Sequence, residues 1–159
     1  LDPTRNDHLK VTFHDSCNPA RGMGLFDEPR HVIKNVCNHF YDMPANTIRE
    51  QTFCCGSGAG LNAGEDIELR MTGGLPRANA VKYVHEKHDV NMLATICAID
   101  RAALPALMEY WVPEVDVTGV HELVANALVL DGQNDRTTDL RGEDIPGLAG
   151  DSEEETDEG

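Results

Sequence analysis

Apolar side chains recur along the chain in two patterns, either at alternate positions or at every third and fourth position. Alternating or continuously apolar runs predict β-strands at 9–16, 47–53, 90–96 and 115–120. Helical spacing predicts α-helices at 28–40, 76–88, 100–111 and 121–130. Strands that alternate with helices are typical of α/β proteins, so we predict a mostly parallel sheet with helices on both faces.

The composition suits one domain that is large enough to bury a core, with 159 residues and 40% apolar content. Residues 131–159 hold 11 acidic and 2 basic side chains, which is −9 of the formal net charge of −15. Because this segment has few large apolar side chains, we expect an α/β domain over residues 1–130 and an acidic, largely disordered tail over 131–159. Since the chain begins at Leu1, we also expect it to be the C-terminal piece of a longer protein.

Several classes of protein are excluded by what the sequence lacks. No stripe of lysine and arginine is available to neutralise phosphates, so nucleic acid is not expected as a partner. No apolar run approaches the roughly 18 residues of a membrane-spanning helix, so neither direct membrane insertion nor a secretory signal is expected. Five cysteines, an odd number, do not suit the disulfide framework of a secreted protein. We therefore predict a cytoplasmic protein with reduced thiols.

Four of the five cysteines follow predicted strands. Cys17 comes after the first strand, Cys54 and Cys55 after the second, and Cys97 after the third. Because the carboxyl ends of parallel strands share one edge of a sheet, these thiols are expected to converge on one site there. Four thiolates can bind an iron–sulfur cluster or another soft metal, and they can also bind a structural zinc ion.

Glycines follow the adjacent cysteines in the run GSGAG. Gly56 and Gly58 have no side chains, so their backbone N–H groups can approach the sulfur atoms of a cluster. A run of this kind also occurs in phosphate-binding loops, but here no Walker lysine follows it and two cysteines precede it. The adjacent cysteines favour a multi-iron cluster over zinc, whose usual ligand pair is C-x₂-C.

The spacing of the cysteines resembles that of a known family. Cys17, the run CCG at 54–56 and Cys97, with 36 residues before the adjacent pair and 41 after it, are similar to the CCG, or cysteine-rich, domain of heterodisulfide reductases. Across residues 9–130 the resemblance is strongest to the DsrK-type branch, the iron–sulfur subunits of the membrane-associated Dsr complex of sulfur metabolism. The motifs that carry it are HDSCNPARGMG, NTIREQTFCCGSGAGLN, GGLPRANAVKYV, CAIDRAALPALMEYW and GVHELVANALV.

The resemblance implies an oxidoreductase with a [4Fe–4S] cluster, of cubane or noncubane type, held by Cys17, Cys54, Cys55 and Cys97. It implies that Cys54 and Cys55 act in the reduction or oxidation of a sulfur–sulfur bond. The substrate implied for the DsrK-type branch is a disulfide or trisulfide on a DsrC-like sulfur carrier protein. Two further partners are implied: an upstream ferredoxin-like domain with cubane clusters, and a membrane subunit of the Dsr complex that holds the domain at the inner face of the cytoplasmic membrane.

The chain departs from the family pattern at one position, where the usual final C-x₂-C is CAID at 97–100. Either four cysteines suffice, or Asp100 binds through oxygen, or Cys37 is a ligand. We expect Asp100 to be the N-cap of the helix at 100–111, because aspartate is a preferred cap. We expect Cys37 to lie in the core, since it shares a helical stripe with Ile33 and Phe40.

Three more side chains are candidates for the surroundings of the site. His14, just before the Cys17 loop, has the chemistry to hydrogen-bond a cluster sulfur or to protonate a departing thiolate. It has an equally simple alternative role in holding its own loop in place. Arg21 and Arg77 are the basic residues considered as a source of positive charge near an anionic cluster or partner, although their spacing alone does not establish such a role.

Overall fold

A computed structural model describes residues 1–58, 60–61 and 66–129 of the chain. Three parallel strands form a sheet in the order β1 Val11–Phe13, β2 Met92–Thr95 and β3 Asp116–Gly119. The α-helices are α1 Glu28–Val36, α2 Ile67–His88, α3 Ala98–Trp111 and α4 Val120–Ala127. Short 3₁₀ turns lie at Pro3–Asn6, Ala45–Thr47 and Arg49–Gln51, and a π-helical turn lies at Asn18–Gly22. None of the described helices is both long and apolar enough to span a membrane.

The two faces of the sheet are covered by different pairs of helices. Phe13 of β1 and Ala94 of β2 are paired in register and belong to an apolar cluster formed with α1 and α4. Leu93 of β2 and Val117 of β3 are also paired, and they belong to a second cluster formed with α2 and α3. Alternate residues of a strand therefore serve opposite faces, which confirms the predicted α/β fold, its parallel sheet and its helices on both faces.

All four predicted helices and three of the four predicted strands are present, with shifted ends. The largest shift is at α2, which begins at Ile67 and not at Pro76. The Asp66 carboxylate caps this helix by accepting a hydrogen bond from the Leu69 N–H at 2.9 Å. This cap stabilises the first turn of the longer helix. The predicted acidic tail at 131–159 lies outside the described residues.

The strand predicted at 47–53 is wrong. The segment forms two short 3₁₀ turns, and Arg49 has a φ of 58°, which does not occur in extended strands. Its backbone groups bond to side chains instead of to a neighbouring strand. The Arg49 N–H donates to the Asp15 carboxylate at 2.9 Å, and the Thr47 carbonyl accepts from Arg77 at 2.7 Å. The adjacent cysteines therefore follow a loop and not a strand, and residues 47–58 are called the cysteine-pair loop below.

Asp15, which lies two residues after β1 and is fully buried, connects three parts of the chain. Its two carboxylate oxygens each accept a hydrogen bond from Arg30 of α1 at 2.7 Å. One of these oxygens also accepts from the Arg49 N–H, and the Asp15 carbonyl accepts from the Thr52 hydroxyl at 2.7 Å. Arg30 pairs in addition with Asp42 at 2.9 Å. These bonds fix the end of β1 relative to α1 and to the cysteine-pair loop.

Replacing Arg30 by methionine should lower the free energy of unfolding by about 3–5 kcal/mol, because the Asp15 carboxylate is left buried without its cation. Chemical denaturation followed by circular dichroism measures the loss. The matched control is Arg49→Met, which breaks a pair between Arg49 and Asp27 on the surface and should cost about 0–1 kcal/mol. Equal losses in the two variants would contradict the role given to Asp15.

Candidate functional site

A pocket of about 180 Å³ lies where the end of β1, the π-helical turn, the cysteine-pair loop and the first turn of α3 meet. We call it the cysteine pocket. The residues that line it are His14, Cys17, Arg21, Phe53, Cys54, Cys55, Gly58 and Asp100. The fold therefore brings three of the four predicted cysteine ligands into one cavity, together with the predicted histidine and one of the predicted glycines.

The five cysteines differ in their exposure and their surroundings. Cys17, at the start of the π-helical turn, and Cys54 are exposed, whereas Cys55 is only 8% exposed. Cys97 is half-buried at the N-cap of α3 and is not among the residues that line the cysteine pocket. Cys37 is 2% exposed and belongs to the apolar cluster beside α1, which confirms its predicted place in the core.

The donor atoms of the cysteine pocket fit an iron–sulfur cofactor. Three thiols line the cavity, and the Gly56 N–H donates to the Cys54 sulfur at 3.3 Å, a type of bond that tunes cluster ligands. Among residues 1–58, 60–61 and 66–129, no group of three or more His, Cys, Asp or Glu side chains is arranged to hold a single metal ion. In that part of the chain, the thiols of the cysteine pocket are therefore not preassembled around one metal ion.

Gly56 determines how the cysteine-pair loop lies on α2. Its φ is +85°, and a Cβ at this position would lie 2.4 Å from the Arg70 carbonyl oxygen. Only glycine combines this backbone conformation with such a close approach, so the loop packs directly on the helix backbone. A Cβ at Gly58 would instead lie 3.9 Å from the Cys54 sulfur, an ordinary contact, so the absent side chain there leaves free space in the cysteine pocket.

Asp100 is the centre of a buried group of hydrogen bonds beside the cysteines. Its carboxylate lies 3.3 Å from His14 Nε2 and accepts from the Thr95 hydroxyl at 3.2 Å. Burial by itself would raise the pKa of Asp100, but hydrogen bonds with His14, Ser16 and Cys55 outweigh burial and hold the pKa below its usual range. The carboxylate is therefore ionised at neutral pH.

The prediction that Asp100 is the N-cap of α3 is wrong. The N-cap is Cys97, and Asp100 is the third residue of the helix. Its carboxylate accepts instead from buried donors of β2, of the turn after β1 and of the cysteine-pair loop. Ligation through the Asp100 oxygen stays an open alternative, and the place of Asp100 in the lining of the cysteine pocket is compatible with it.

His14 and Cys55 are both neutral beside this carboxylate. Burial lowers the pKa of His14, and the hydrogen bond with Asp100 only partly opposes that shift. Burial, together with the hydrogen bond to Asp100, raises the pKa of the Cys55 thiol to about 12. A neutral His14 ring beside an ionised carboxylate donates from Nε2, so Nδ1 carries the lone pair. Within the described residues, Nδ1 has no hydrogen-bond partner.

Two arginines hold the backbone of the cysteine-pair loop. Arg21 lines the cysteine pocket and donates from Nε to the Glu50 carbonyl at 2.8 Å. Arg77 of α2 is fully buried and donates to the Thr47 carbonyl at 2.7 Å and to the Thr52 hydroxyl at 2.8 Å. Both cations therefore hold in place the segment that precedes the adjacent cysteines.

Sequence reasoning missed the structural part that Asp15 and Arg77 play. A signal for Arg77 is present, since it lies four and seven residues before Val81 and Val84 and so occupies the buried stripe of α2. An arginine on an apolar stripe is rare unless buried acceptors accept its hydrogen bonds. Asp15 has no comparable signal, because it follows a short strand among other polar residues.

A model of the CCG family, which is described as a cysteine-rich domain, matches residues 11–99. The match covers more than half of the 159 residues and contains Cys17, Cys54, Cys55 and Cys97. The chain belongs to the CCG cysteine-rich domain family. The family predicted from the cysteine spacing is thereby confirmed, and the cysteine pocket lies within the matched part of this CCG domain.

Relatives of this CCG domain include iron–sulfur subunits and a heterodisulfide reductase subunit. The Hdr-like menaquinol oxidoreductase iron-sulfur subunit of Archaeoglobus profundus is 52% identical over 149 residues, which is 91% of this chain and 27% of that protein. Iron-sulfur subunit 2 of the same type from Archaeoglobus fulgidus is 50% identical over the same shares. A subunit of the dihydromethanophenazine:CoB–CoM heterodisulfide reductase of Methanosarcina mazei is 32% identical over 123 residues, 76% of this chain and 28% of that protein. The chain thus spans about a quarter of the length of these relatives, and no solved structure matches it.

At pH 8 and without metal, Cys37 and Cys55 should react with iodoacetamide at least about a hundredfold more slowly than the exposed Cys17 and Cys54. Burial raises both of their pKa values to about 12, and the thiolate is the reactive form. Mass spectrometry of the alkylated peptides gives the four rates. Asp100→Asn should accelerate Cys55 and leave Cys37 unchanged, because the carboxylate contributes to the raised pKa of Cys55 alone. An equal response of the two buried thiols would contradict this assignment.

Acidification below about pH 6.5 should destabilise the metal-free chain through His14. Because burial lowers the pKa of His14, the unfolded chain binds a proton in this range that the folded chain does not bind. The linkage lowers the free energy of unfolding by up to about 1.4 kcal/mol per pH unit. Urea denaturation at a series of pH values measures the slope, and His14→Gln should remove most of it. The same slope in that variant would assign the effect to other groups.

Proposed function

We propose that this chain is an iron–sulfur redox domain that passes electrons to or from a sulfur–sulfur bond. The observation that carries the proposal is the cysteine pocket, in which three thiols of the CCG pattern, Cys17, Cys54 and Cys55, line one cavity. The names of the relatives support it, since they include iron–sulfur subunits of a menaquinol oxidoreductase and a subunit of a heterodisulfide reductase.

The proposed ligands come from three parts of the chain. Cys17 from the π-helical turn and Cys54 and Cys55 from the cysteine-pair loop would hold the cluster, with Cys97 at the beginning of α3 as the fourth ligand. A bound cluster, of cubane or noncubane type, supplies single electrons at a potential set by its ligands and their hydrogen bonds. The Gly56 N–H stabilises negative charge on the Cys54 sulfur. Each thiol gives up its proton when it becomes a ligand.

His14 and Asp100 lie in the cysteine pocket, where disulfide reduction would consume protons. Reduction of a disulfide takes two electrons and two protons and yields two thiols, and the electrons would come from a reduced iron–sulfur centre or a quinol. The neutral His14 ring can accept a proton at Nδ1 while its Nε2–H remains on the Asp100 carboxylate. The pair can therefore store one proton beside the cysteines, which supports an acid–base role for His14.

Access to the site is compatible with a substrate carried by another protein. Cys17 and Cys54 are exposed, and Gly58 adds no side chain to the part of the cysteine pocket beside the Cys54 sulfur. Arg21 is exposed and lines the same cavity, so it offers positive charge to an anionic thiolate or an acidic partner. A flexible arm that bears a cysteine could reach the sulfurs from this side.

For the substrate we propose a disulfide or trisulfide on a DsrC-like sulfur carrier protein, as the DsrK-type resemblance implies. The name of the Methanosarcina relative favours a second candidate, a heterodisulfide of two small thiols. The names of the Archaeoglobus relatives suggest menaquinol as the distant electron donor. In this proposal an upstream ferredoxin-like domain passes the electrons on, and a membrane subunit holds the domain at the cytoplasmic face of the membrane.

The test uses the full-length polypeptide that contains this sequence, loaded anaerobically with ferrous iron and sulfide. We expect an EPR signal from this domain that changes when the protein is titrated with the disulfide or trisulfide form of the carrier protein. Cys54→Ser and Cys55→Ser should each remove that signal and reduce carrier reduction more than about tenfold, because each removes a thiolate ligand. Cys37→Ser is the matched control, since Cys37 lies in the apolar core and its loss should affect packing and not the signal.

Two results would contradict the proposal. A colourless protein that retains zinc and no iron would support a structural zinc-binding or docking domain instead. Full turnover in the Cys55 variant, with a cluster spectrum that is unchanged in every redox state, would place the chemistry in another part of the protein. Replacement of the carrier by a small-molecule heterodisulfide then distinguishes the two substrate candidates.

A further inference from the structure

Arg77 is a buried cation to which the reaction described above assigns no part. Its side chain is 0% exposed and donates to the Thr47 carbonyl, the Thr52 hydroxyl and the Met43 sulfur at 2.7, 2.8 and 2.9 Å. Its Nε has no hydrogen-bond partner among the described residues. In the same part of the chain, no carboxylate forms a direct ion pair with it.

The buried carboxylates near Arg77 are already bound to other groups. Asp15 is held by both nitrogens of the Arg30 fork at 2.7 Å, and Asp100 accepts from His14 and Thr95. A buried guanidinium loses its favourable hydration. Neutral acceptors alone do not offset that cost, because they provide no opposite charge. The metal-free protein therefore keeps a positive charge here that is only partly balanced.

Phe53 connects Arg77 to the cysteine pocket. The guanidinium lies 5.9 Å from the centre of the Phe53 ring, and Phe53 lines the pocket directly before the adjacent cysteines. Cys55 is among the groups whose negative charge would interact favourably with Arg77. Thiolate ligands and a reduced cluster would bring negative charge to this position.

We propose that Arg77 is the buried countercharge of the loaded cysteine pocket, a positioning residue whose positive charge favours the reduced form of the bound cluster. The inference rests on the proposed function, since it needs a cluster in this pocket. Arg77 acts through space and through the loop at 52–53, without contact with the reacting sulfurs. Burial lowers the pKa of Arg77 to about 10, so the side chain is still protonated at neutral pH.

The effect is expected on a one-electron equilibrium in which no bond forms or breaks. A reductant such as dithionite gives up one electron, and the oxidised site accepts it and gains one negative charge. A buried cation lowers the free energy of the more negative form, since its field is little screened by water. Removal of the cation should therefore make reduction harder and move the reduction potential to a more negative value.

The experiment uses the full-length polypeptide, loaded with ferrous iron and sulfide and titrated with dithionite, with EPR as the readout. Arg77→Met should shift the reduction equilibrium at least about tenfold towards the oxidised form, which is about 59 mV for a one-electron couple. Arg77→Lys keeps the charge without the planar fork and should stay within about threefold of the wild type. Met43→Leu is the matched control, because it removes a neutral acceptor of Arg77 and no charge, and it should keep the wild-type potential.

Several outcomes would overturn the inference. An unchanged potential in a folded Arg77→Met variant would do so, and so would an equal fall in Arg77→Lys and Arg77→Met, since position and not charge would then be the cause. If circular dichroism shows that Arg77→Met does not fold, the lysine variant decides: a wild-type potential supports the inference and a tenfold shift overturns it. A wild-type protein that binds no iron would overturn the proposed function as well, whereas a loaded wild type with the same potential in all variants would overturn the inference alone.

Discussion

The buried interaction between Asp15 and Arg30 is the constraint on which the position of the site depends. Strand β1 is only three residues long, so sheet hydrogen bonds alone do not fix the turn that follows it. The Asp15 carboxylate binds that turn to α1 through Arg30 and binds the cysteine-pair loop through the Arg49 N–H. Both loops that supply cysteines to the pocket are therefore placed relative to one fully bonded carboxylate. Polar contacts position the site, whereas the apolar clusters stabilise the sheet and the helices around it.

Helix α2 is the second support of the site, and it acts through its backbone as much as through its side chains. The Gly56 position leaves no space for a Cβ above the Arg70 carbonyl, and the Arg77 side chain holds the loop from below through Thr47 and Thr52. Helix α2 thus holds the cysteine-pair loop both before the adjacent cysteines, at Thr47 and Thr52, and directly after them, at Gly56. Because neither contact needs sheet pairing, the adjacent cysteines reach the edge of the sheet without belonging to a strand.

The sequence could predict the sheet and the helices because their signals are local. Buried parallel strands are continuous apolar runs, and helices repeat apolar residues at fixed spacing. The segment at 47–53 was beyond that reasoning, because its conformation follows from Asp15 and Arg77, which are remote in sequence and are themselves polar. Cys54 and Cys55 line one cavity with Cys17 although the strand assumed for them is absent, whereas Cys97 does not line that cavity. The turn after β1 and the cysteine-pair loop are joined by hydrogen bonds instead of by a shared strand direction.

Burial and the charge of Asp100 explain why Cys55 in the cysteine pocket is held as a thiol. Asp100 is ionised and accepts a hydrogen bond from Cys55, so a thiolate there would lie against a carboxylate, and the pKa of Cys55 is raised to about 12. If Cys55 bound the proposed cluster, an iron ion would take the place of that proton and would attract the Asp100 carboxylate. Loading of the proposed site would then be coupled to proton release beside Asp100, and the same carboxylate lies 3.3 Å from His14 Nε2. The departure of this chain from the usual final cysteine thus places an ionised group at the position where thiol, imidazole and helix α3 meet.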